Sequence, residues 1–301
     1  MVHRAIVGVD GRPSGRDAIA LARLLVGTDG QLTLAHVYSG EFPPAHQPKL
    51  AYEHVERVDC QLLLEQEREA TGVDGELISI PAPSVGRGLH HLVESQGADL
   101  LVVGSCSRGL PGRVLLGDDT RAALSGARSA VAVAPVGYAQ NSRAISIVGV
   151  GYDGSRDSEA ALALAREIAA WHGADIHLLQ VVQIPVSPYL GVAGEALDAL
   201  VEGAEQQMAA IEGVEGTAVL GLAGEELAAF GERVDLLVVG SRSHGPLRRI
   251  MLGSTSAHLA AGARCPLLVL PRAAAASGAL ASPQNRRRAA SGPADGHLSQ
   301  T

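Results

Sequence analysis

Short apolar runs alternate with longer segments of helical periodicity along most of the chain. The runs lie near residues 5–10, 31–38, 75–80, 99–104 and 129–134, and again near 145–152, 175–182, 214–221, 235–240 and 265–270. Apolar runs separated by amphipathic helical segments are typical of βαβ units around a parallel sheet. The continuous runs around 100–103 and 236–239 predict central strands that are covered on both faces.

The second half of the chain repeats the first. The segment that ends in Asp10-Gly11 corresponds to the one that ends in Asp153-Gly154, and the sequence Asp-Leu-Leu-Val-Val-Gly-Ser occurs at both 99–105 and 235–241. Because order and spacing agree, each half is predicted to be one Rossmann-like α/β unit with a five-stranded parallel sheet flanked by helices. The predicted domains are residues 1–138 and 144–272. Residues 273–301 lose apolar periodicity and are predicted to be a disordered tail.

Charge and cysteine content narrow the function classes. The chain has 301 residues, a formal net charge of -8 and a pI near 5.8, so a general attraction to nucleic acid or to anionic membranes is not expected. No apolar run is long enough to span a bilayer. The three cysteines show no paired spacing and predict neither a disulfide framework nor a zinc site. We therefore expect a cytoplasmic protein with no nucleic-acid or membrane partner.

Candidate chemistry follows the first and fourth strands of each unit. In an open parallel sheet, ligands bind beyond the carboxyl ends of the strands at the point where the strand order reverses. In the second half these places hold Asp153-Gly154-Ser155, the loop that begins at Gly240, and the segment Gly253-Ser254-Thr255. Glycines allow a backbone to approach a ligand closely, and the free N–H groups at a helix start attract anions. The second half therefore contains a predicted phosphate-binding loop.

This arrangement resembles the universal stress protein family, whose nucleotide-binding members carry Gly-x2-Gly-x9-Gly-Ser/Thr after the fourth strand. The second half reads Gly240-x2-Ser243-x9-Gly253-Ser254, with a serine in place of one glycine. Over residues 3–272 the chain is identified as a tandem member of this family. The resemblance implies ATP as ligand and leaves an accompanying Mg²⁺ open. It places Asp153 at the ribose or adenine end, Val181 at the adenine, and the loop at the ribose and phosphates. The implied binding residues are Gly151, Asp153, Val181, Gly240, Arg242, Ser243, Gly253, Ser254 and Thr255.

The first half departs further from the family pattern. Its loop reads Gly104-x2-Ser107-x9-Gly117-Asp118, so an aspartate stands where the family has serine or threonine. We expect the Asp118 carboxylate to satisfy the N–H groups at the helix start and to repel a phosphate. Residues that remain as candidate contacts for an adenosine are Asp10, Val37, Gly104 and Gly117. Arg108 and Arg113 are candidates to offset part of the aspartate charge, so nucleotide binding by this half stays open.

The other motifs in the sequence do not predict a function. The segment 149–154 spells Gly-x-Gly-x-x-Gly, but the repeat aligns Gly149 and Gly151 with the first strand rather than with a turn, so this dinucleotide fingerprint is interpreted as accidental. Neither catalytic residues nor metal ligands are predicted. The function implied by the resemblance is that of a nucleotide-linked stress-response regulator with an unknown protein partner. Two alternatives remain: a nucleotide-free protein-interaction scaffold and a slow ATP-hydrolysing enzyme.

The last strand of each half is predicted to be an edge strand. Exposed edges favour pairing with another strand, and the resemblance implies that such edges join units together. We expect either an internal pseudo-dimer of the two halves or a homodimer of two chains.

Overall fold

The computed structural model describes residues 2–38, 49–106, 111–115, 117–183 and 194–241, together with 250, 255, 258–259 and 262–271. In the second and fifth of these ranges the side chains are described from Val55 and from Ala196 onward. The tail that was predicted to be disordered, residues 273–301, lies outside the described residues.

The helices and strands alternate along the chain, as the apolar pattern predicts. In the first half they are β1 (Val2–Gly8), α1 (Pro13–Leu25), β2 (Val26–Tyr38), α2 (Lys49–Thr71), β3 (Glu76–Pro81), α3 (Val85–Gln96), β4 (Leu100–Gly104), α4 (Asp118–Leu124) and β5 (Ala130–Ala134). After α5 (Tyr138–Asn141), the second half contains β6 (Ile147–Gly151), α6 (Arg156–His172), β7 (Asp175–Val182), α7 (Gly194–Ala209), β8 (Glu215–Leu220), α8 (Ala223–Phe230), β9 (Leu236–Gly240) and β10 (Leu267–Leu270).

All ten of these strands belong to one sheet in the order β3-β2-β1-β4-β5-β10-β9-β6-β7-β8. Within each half the strands are parallel, which confirms the predicted fold class. We call the two halves unit 1 (β1 to β5) and unit 2 (β6 to β10). In both units the strand order reverses between the first and fourth strands, so a crevice is expected at the carboxyl ends of β1 and β4 and of β6 and β9.

The two units are joined along their last strands. β5 and β10 pair antiparallel, with Leu268 opposite Ala132 in the centre of the pairing. Each of these strands is also paired with a strand of its own unit, so neither is a free edge for a second chain. The outer strands of the sheet are β3 and β8. Of the two assemblies expected from the sequence, the fold therefore contains the internal pseudo-dimer.

We call the antiparallel pairing of β5 and β10 the seam. Backbone hydrogen bonds beside the seam repeat with approximate two-fold symmetry. Val114 N–H of unit 1 donates to Ala263 O of unit 2 at 2.7 Å, and Ile250 N–H of unit 2 donates to Ala127 O of unit 1 at 2.9 Å. These four residues occupy corresponding places in the two repeats, because Val114 aligns with Ile250 and Ala127 with Ala263. In each unit, a residue that follows the fourth strand, Val114 or Ile250, is thus hydrogen-bonded to the other unit.

Two apolar layers cover the faces of the sheet, and both continue across the seam. One layer includes Ile19 and Leu21 of α1 together with Leu162 and Ile168 of α6. The other includes residues of α3 and α8, such as Leu89 and Phe230. Because each layer contains side chains from both units, the halves share their core.

Equivalent aspartates fasten the first strand of each unit. The Asp99 carboxylate accepts hydrogen bonds from the N–H groups of His3 and Arg4, both at 3.1 Å. The Asp235 carboxylate accepts from Ser146 and Ile147 N–H at 2.8 and 2.9 Å. The repeated Asp-Leu-Leu-Val-Val-Gly-Ser sequence thus begins with a residue that holds two neighbouring strands in register.

Two local details differ from the predicted pattern. β2 begins at Val26 instead of near residue 31, because Val2 pairs with Val26 before an irregularity shifts the register to Arg4 opposite Gln31. The polar stretch between the units contains the short helix α5 rather than only a linker. Its start is held by the buried Asp17 of α1, whose carboxylate accepts from Gly137 and Ala139 N–H, both at 2.8 Å.

Candidate functional site

A cleft of about 480 Å³ opens in unit 1 at the predicted reversal of strand order. Its walls come from the ends of β1, β2 and β4, from the residues just after β1 and β4, and from the starts of α1, α3 and α4. This volume lies in the range of small-molecule binding sites. All four residues predicted for unit 1 line it, namely Asp10, Val37, Gly104 and Gly117.

The turn that carries Asp10 has a counterpart in unit 2. Arg12 N–H donates to Asp10 Oδ1 at 3.1 Å, and Ser155 N–H donates to Asp153 Oδ1 at the same distance. The intervening glycine has φ +72° in both turns, a conformation that side chains disfavour. Asp153 Oδ1 also accepts from the Ser155 hydroxyl at 2.5 Å. Both predicted aspartates are therefore held beyond the first strand by the same backbone geometry.

The second strand contributes an apolar wall. Val37 lies near the end of β2, and a Cβ placed on Gly88 of α3 would come within 2.7 Å of both Val37 methyl groups. Next to it, His36 Nδ1 is 2.7 Å from Val9 O, which fixes the ring beside the cleft. Val181 occupies the corresponding place in β7, opposite Val219 of β8. The valines predicted to contact an adenine are thus positioned by strand register.

Glycines after the fourth strands have a packing role that the motif alone does not reveal. A Cβ on Gly104 would lie 2.0 Å from Ser14 O, and one on Gly240 would lie 2.9 Å from Asp157 O. Ser14 and Asp157 are corresponding residues near the starts of α1 and α6. Close approach between helix start and strand end therefore requires glycine whether or not a ligand is bound.

The start of α4 differs from the expectation for Asp118. The N-cap is Gly117, and Asp118 and Asp119 are the first two residues of the helix. No hydrogen bond joins either carboxylate to another described residue, so the prediction that Asp118 satisfies the N–H groups of the helix start was wrong. As first-turn residues, they contribute to the start of the helix only through their favourable interaction with its dipole. Both carboxylates line the cleft instead.

Hydroxyl groups at this end of the cleft bond within the protein. Thr120 Oγ1 donates to Gly104 O at 2.9 Å, and Ser105 Oγ donates to Ala134 O at 2.7 Å. Ser105 Oγ also accepts from Leu115 N–H at 3.3 Å. These bonds hold Ser105, Leu115 and Thr120 in place at this end of the cleft.

Two residues that line the cleft, Arg12 and Cys106, were not among the binding residues predicted from the sequence motifs. Arg12 is the only Lys or Arg among the described lining residues, and its Nε is 3.8 Å from Asp10 Oδ2. Cys106 also lines the cleft and packs against Gly117, where an added Cβ would lie 3.5 Å from its Sγ. Their positions next to Asp10 and Gly104 were the signal that could have identified them.

In unit 2 the described part of the site follows unit 1. Gly151 ends β6, Asp153 follows it, Val181 lies in β7, and Gly240 ends β9. An added Cβ on Gly151 would lie 3.2 Å from Leu227 of α8, so this glycine also serves helix packing. Thr255 is helical and half-buried. The other predicted residues, Arg242, Ser243, Gly253 and Ser254, lie outside the described residues.

The Gly-x-Gly-x-x-Gly segment does not form a dinucleotide-binding turn. Gly149 and Gly151 both lie within β6. An added Cβ on Gly149 would lie 2.8 Å from Phe230 of α8. These glycines thus belong to the contact between sheet and helix, as the repeat alignment predicted.

The described residues also bear on metal and membrane binding. That part of the chain contains no group of three or more His, Cys, Asp or Glu side chains placed to hold a metal ion. Within the same residues, no helix combines the length and the apolar character needed to cross a bilayer.

Comparisons with known proteins agree with the repeated architecture. The model of the universal stress protein family matches the chain twice, at residues 1–135 and 145–271. A universal stress protein of Mycobacterium tuberculosis is 29% identical over 297 residues, which cover 89% of this chain and 96% of the relative. One from Thermus aquaticus is 37% identical over 129 residues, 40% of this chain and 93% of the relative.

Among solved structures, a universal stress protein from Archaeoglobus fulgidus superposes with a TM-score of 0.65 at 18% identity, covering 90% of this chain and 99% of that one. A putative universal stress protein from Pseudomonas aeruginosa gives a TM-score of 0.63 at 16% identity, covering 92% and 96%. These likenesses support the fold. Since the family model spans both repeated units, the chain belongs to the universal stress protein family as a tandem, two-domain member.

Proposed function

We propose that this protein binds an adenine nucleotide, with ATP as the ligand, at the carboxyl ends of β6 and β9, and acts as a nucleotide-linked stress-response regulator. The observation that carries the proposal is the repeated Asp-Gly turn. It holds Asp153 beyond β6 with the same hydrogen bond that holds Asp10 at the rim of the cleft in unit 1. A carboxylate there can accept hydrogen bonds from sugar hydroxyls, while Val181 offers an apolar surface to a base.

Side chains at the phosphate end of unit 2 fit a nucleotide better than those of unit 1. Ser254 and Thr255 stand where unit 1 has Asp118 and Asp119, and Arg242 stands where it has Cys106. Two carboxylates are thereby replaced by hydroxyls, and a guanidinium is added. Hydroxyl and guanidinium groups donate hydrogen bonds to phosphate oxygens, whereas carboxylates repel them. An accompanying Mg²⁺ would take its ligands mainly from the phosphates and water.

Regulation would act through the seam between the units. The loop after β9 leads to Ile250, whose N–H donates to Ala127 O and whose carbonyl accepts from Gly126 N–H, both at 2.9 Å. A ligand held by residues of this loop would therefore act on a segment that is hydrogen-bonded to unit 1, and a ligand that binds one arrangement more tightly stabilises it. The stabilised arrangement would present the surface recognised by a protein partner. Three free cysteines accord with the reducing cytoplasm that we propose as its location.

Binding can be tested on the full chain by isothermal titration calorimetry with ATP, after mass spectrometry of any small molecule released on denaturation. We expect one ATP per chain, and at least about tenfold weaker binding in Asp153→Ala, because the sugar loses its charged acceptor. Gly253→Glu places a carboxylate at the predicted phosphate site and should abolish binding. The matched control is Asp10→Ala, the same change in the equivalent turn of unit 1, which should leave ATP affinity unchanged.

Each outcome bears on a different function. Absence of ATP from the purified protein, together with no binding at millimolar ATP, would overturn the proposal and favour the nucleotide-free scaffold. Unchanged affinity in Asp153→Ala and Gly253→Glu would show that the site is wrongly assigned. Release of ADP and phosphate at a rate that depends on Asp153 would favour the ATP-hydrolysing alternative.

A further inference from the structure

The cleft of unit 1 combines an apolar wall with an unusually acidic end. The apolar lining consists of Val37 of β2, Val85 and Leu89 of α3, and Val103 of β4. The lining at the start of α4 contains Asp118 and Asp119, and Asp10 lines the cleft after β1. Against these three carboxylates, the described lining contains one guanidinium, that of Arg12, which is already 3.8 Å from Asp10.

This charge distribution selects against phosphate. A phosphate group in the position implied for the nucleotide would face Asp118 and Asp119, and Arg12 is the only Lys or Arg among the described lining residues. Arg108 of the loop lies outside the described residues. Asp118 and Asp119 are exposed. A phosphate bound beside them would displace part of the solvent that screens their charge, so the like charges would cost several-fold in affinity. A neutral hydroxyl, in contrast, can donate a hydrogen bond to a carboxylate, and an ammonium group can donate and also neutralise charge.

We propose that the unit 1 cleft is a second ligand site that selects an adenine nucleoside without phosphates, either neutral or carrying a cationic 5′ group. The choice of adenine rests on the proposed function of the family site, whereas the discrimination against phosphate rests on Asp118 and Asp119. The two units thus share one fold but differ in the 5′ group that they select. Unit 2 selects phosphates, and unit 1 selects a neutral or cationic group. The protein would respond to the nucleoside and the nucleotide at separate sites.

Cys106 offers a site-specific reporter for this cleft. Its thiol lines the cleft beside Gly117, the residue before the two aspartates. The other two cysteines, Cys60 and Cys265, are buried, and burial raises the pKa of both thiols. Since the thiolate is the reactive form, N-ethylmaleimide should label Cys106 well before the others. A ligand at the acidic end would slow that labelling.

The test measures the labelling rate of Cys106 in the nucleotide-free full chain by peptide mass spectrometry. Adenosine, 5′-amino-5′-deoxyadenosine, AMP and ATP are added in turn. We expect half-maximal protection by adenosine at a concentration at least about tenfold below that of AMP, with the amine more effective than adenosine. ATP should protect no better than AMP, although it binds elsewhere in the same chain.

A pair of variants isolates the two aspartates. Asp118→Ser with Asp119→Thr gives unit 1 the residues of unit 2 and should bring the AMP and adenosine concentrations to within about threefold of each other. The control, Glu65→Gln with Glu69→Gln, removes two charges from the exposed face of α2 and should keep the wild-type preference. Circular dichroism checks that both variants fold. If the cleft variant does not fold, the test rests on the wild-type protein. The concentrations of adenosine, its amine and AMP that give half-maximal protection of Cys106 then decide it.

Protection of wild-type Cys106 by AMP or ATP at or below the adenosine concentration would overturn the inference, as would protection by none of the four compounds. Failure of the proposed function has a different signature, because calorimetry would then detect no ATP binding at all. If both proposals hold, one ATP binds per chain without protecting Cys106, whereas adenosine protects it.

Discussion

At the scale of single residues, burial determines how several side chains ionise. Burial raises the pKa of the Cys265 thiol to about 12. It is also the chief cause that raises the pKa of the Tyr138 and Tyr152 hydroxyls to about 12. The Tyr152 hydroxyl donates a short hydrogen bond to Glu159, which further favours its neutral form. All three groups are therefore neutral in the folded protein over a pH range in which the unfolded chain ionises.

These shifts predict a loss of stability in alkaline solution. Cys265 has an ordinary pKa of 9.0, so ionisation in the unfolded state favours unfolding above about pH 9 until the folded thiol ionises near pH 12. Cys265→Ala should remove that contribution, and its free energy of unfolding should fall less steeply by about 1.4 kcal/mol per pH unit between pH 10 and 11. Urea denaturation between pH 8 and 11 measures both slopes. Parallel curves for the two proteins would contradict the assignment.

At the scale of elements, the contact between the first helix and the fourth strand depends on glycine in both units. Ser14 O and Asp157 O lie where a Cβ of Gly104 and of Gly240 would be. The same two glycines begin the predicted nucleotide loops. A motif glycine can thus be required for folding as well as for binding, and loss of ligand binding on its substitution would not by itself identify a contact.

Substitution by alanine separates the packing role from general effects on stability. In Gly104→Ala, the new Cβ would be 2.0 Å from Ser14 O, so α1 must shift, and we expect a loss of about 1–3 kcal/mol or more. The control is Gly203→Ala in α7, where an added Cβ meets nothing within 4 Å and helix propensity should add about 0.5–1 kcal/mol. Chemical denaturation measures both changes. A neutral Gly104→Ala would disprove the close contact.

At the scale of the whole molecule, two repeated units behave as one sheet with a shared core. The β5–β10 pairing joins them, and both apolar layers contain residues of each unit. On one face, His172 Nε2 at the end of α6 is 2.9 Å from Leu24 O of α1. Separation of the units would expose apolar surface on both faces of the sheet, so neither is expected to unfold alone.

A single unfolding transition is therefore expected. Trp171 of α6 is the only tryptophan, so its fluorescence reports on unit 2 and its boundary with unit 1, whereas far-ultraviolet circular dichroism reports on both units. The two signals should give the same urea midpoint and the same dependence on denaturant concentration. Two separated transitions, with fluorescence following only one of them, would show that the units are independent.

The local pattern of the chain was sufficient to predict much of this architecture. Apolar periodicity and the internal repeat located the strands to within a few residues, except at the start of β2, and the alternation of elements predicted parallel sheets. The positions of Asp10 and Asp153 after the first strands followed from the same alignment. These properties are local or repeat at a fixed spacing, so they are visible without knowledge of tertiary contacts.

Tertiary structure decided what depends on residues far apart in the chain. Sequence could not choose between pairing of β5 with β10 and pairing with a second chain, because both satisfy the same edge. Nor could it show that Glu67, one of many charged residues on α2, is buried and bonded to Arg16 at 2.8 Å, or that Asp118 lines a cleft instead of capping a helix. Pairing, desolvation and the direction of a side chain are set by the surrounding atoms, which come together only in the folded molecule.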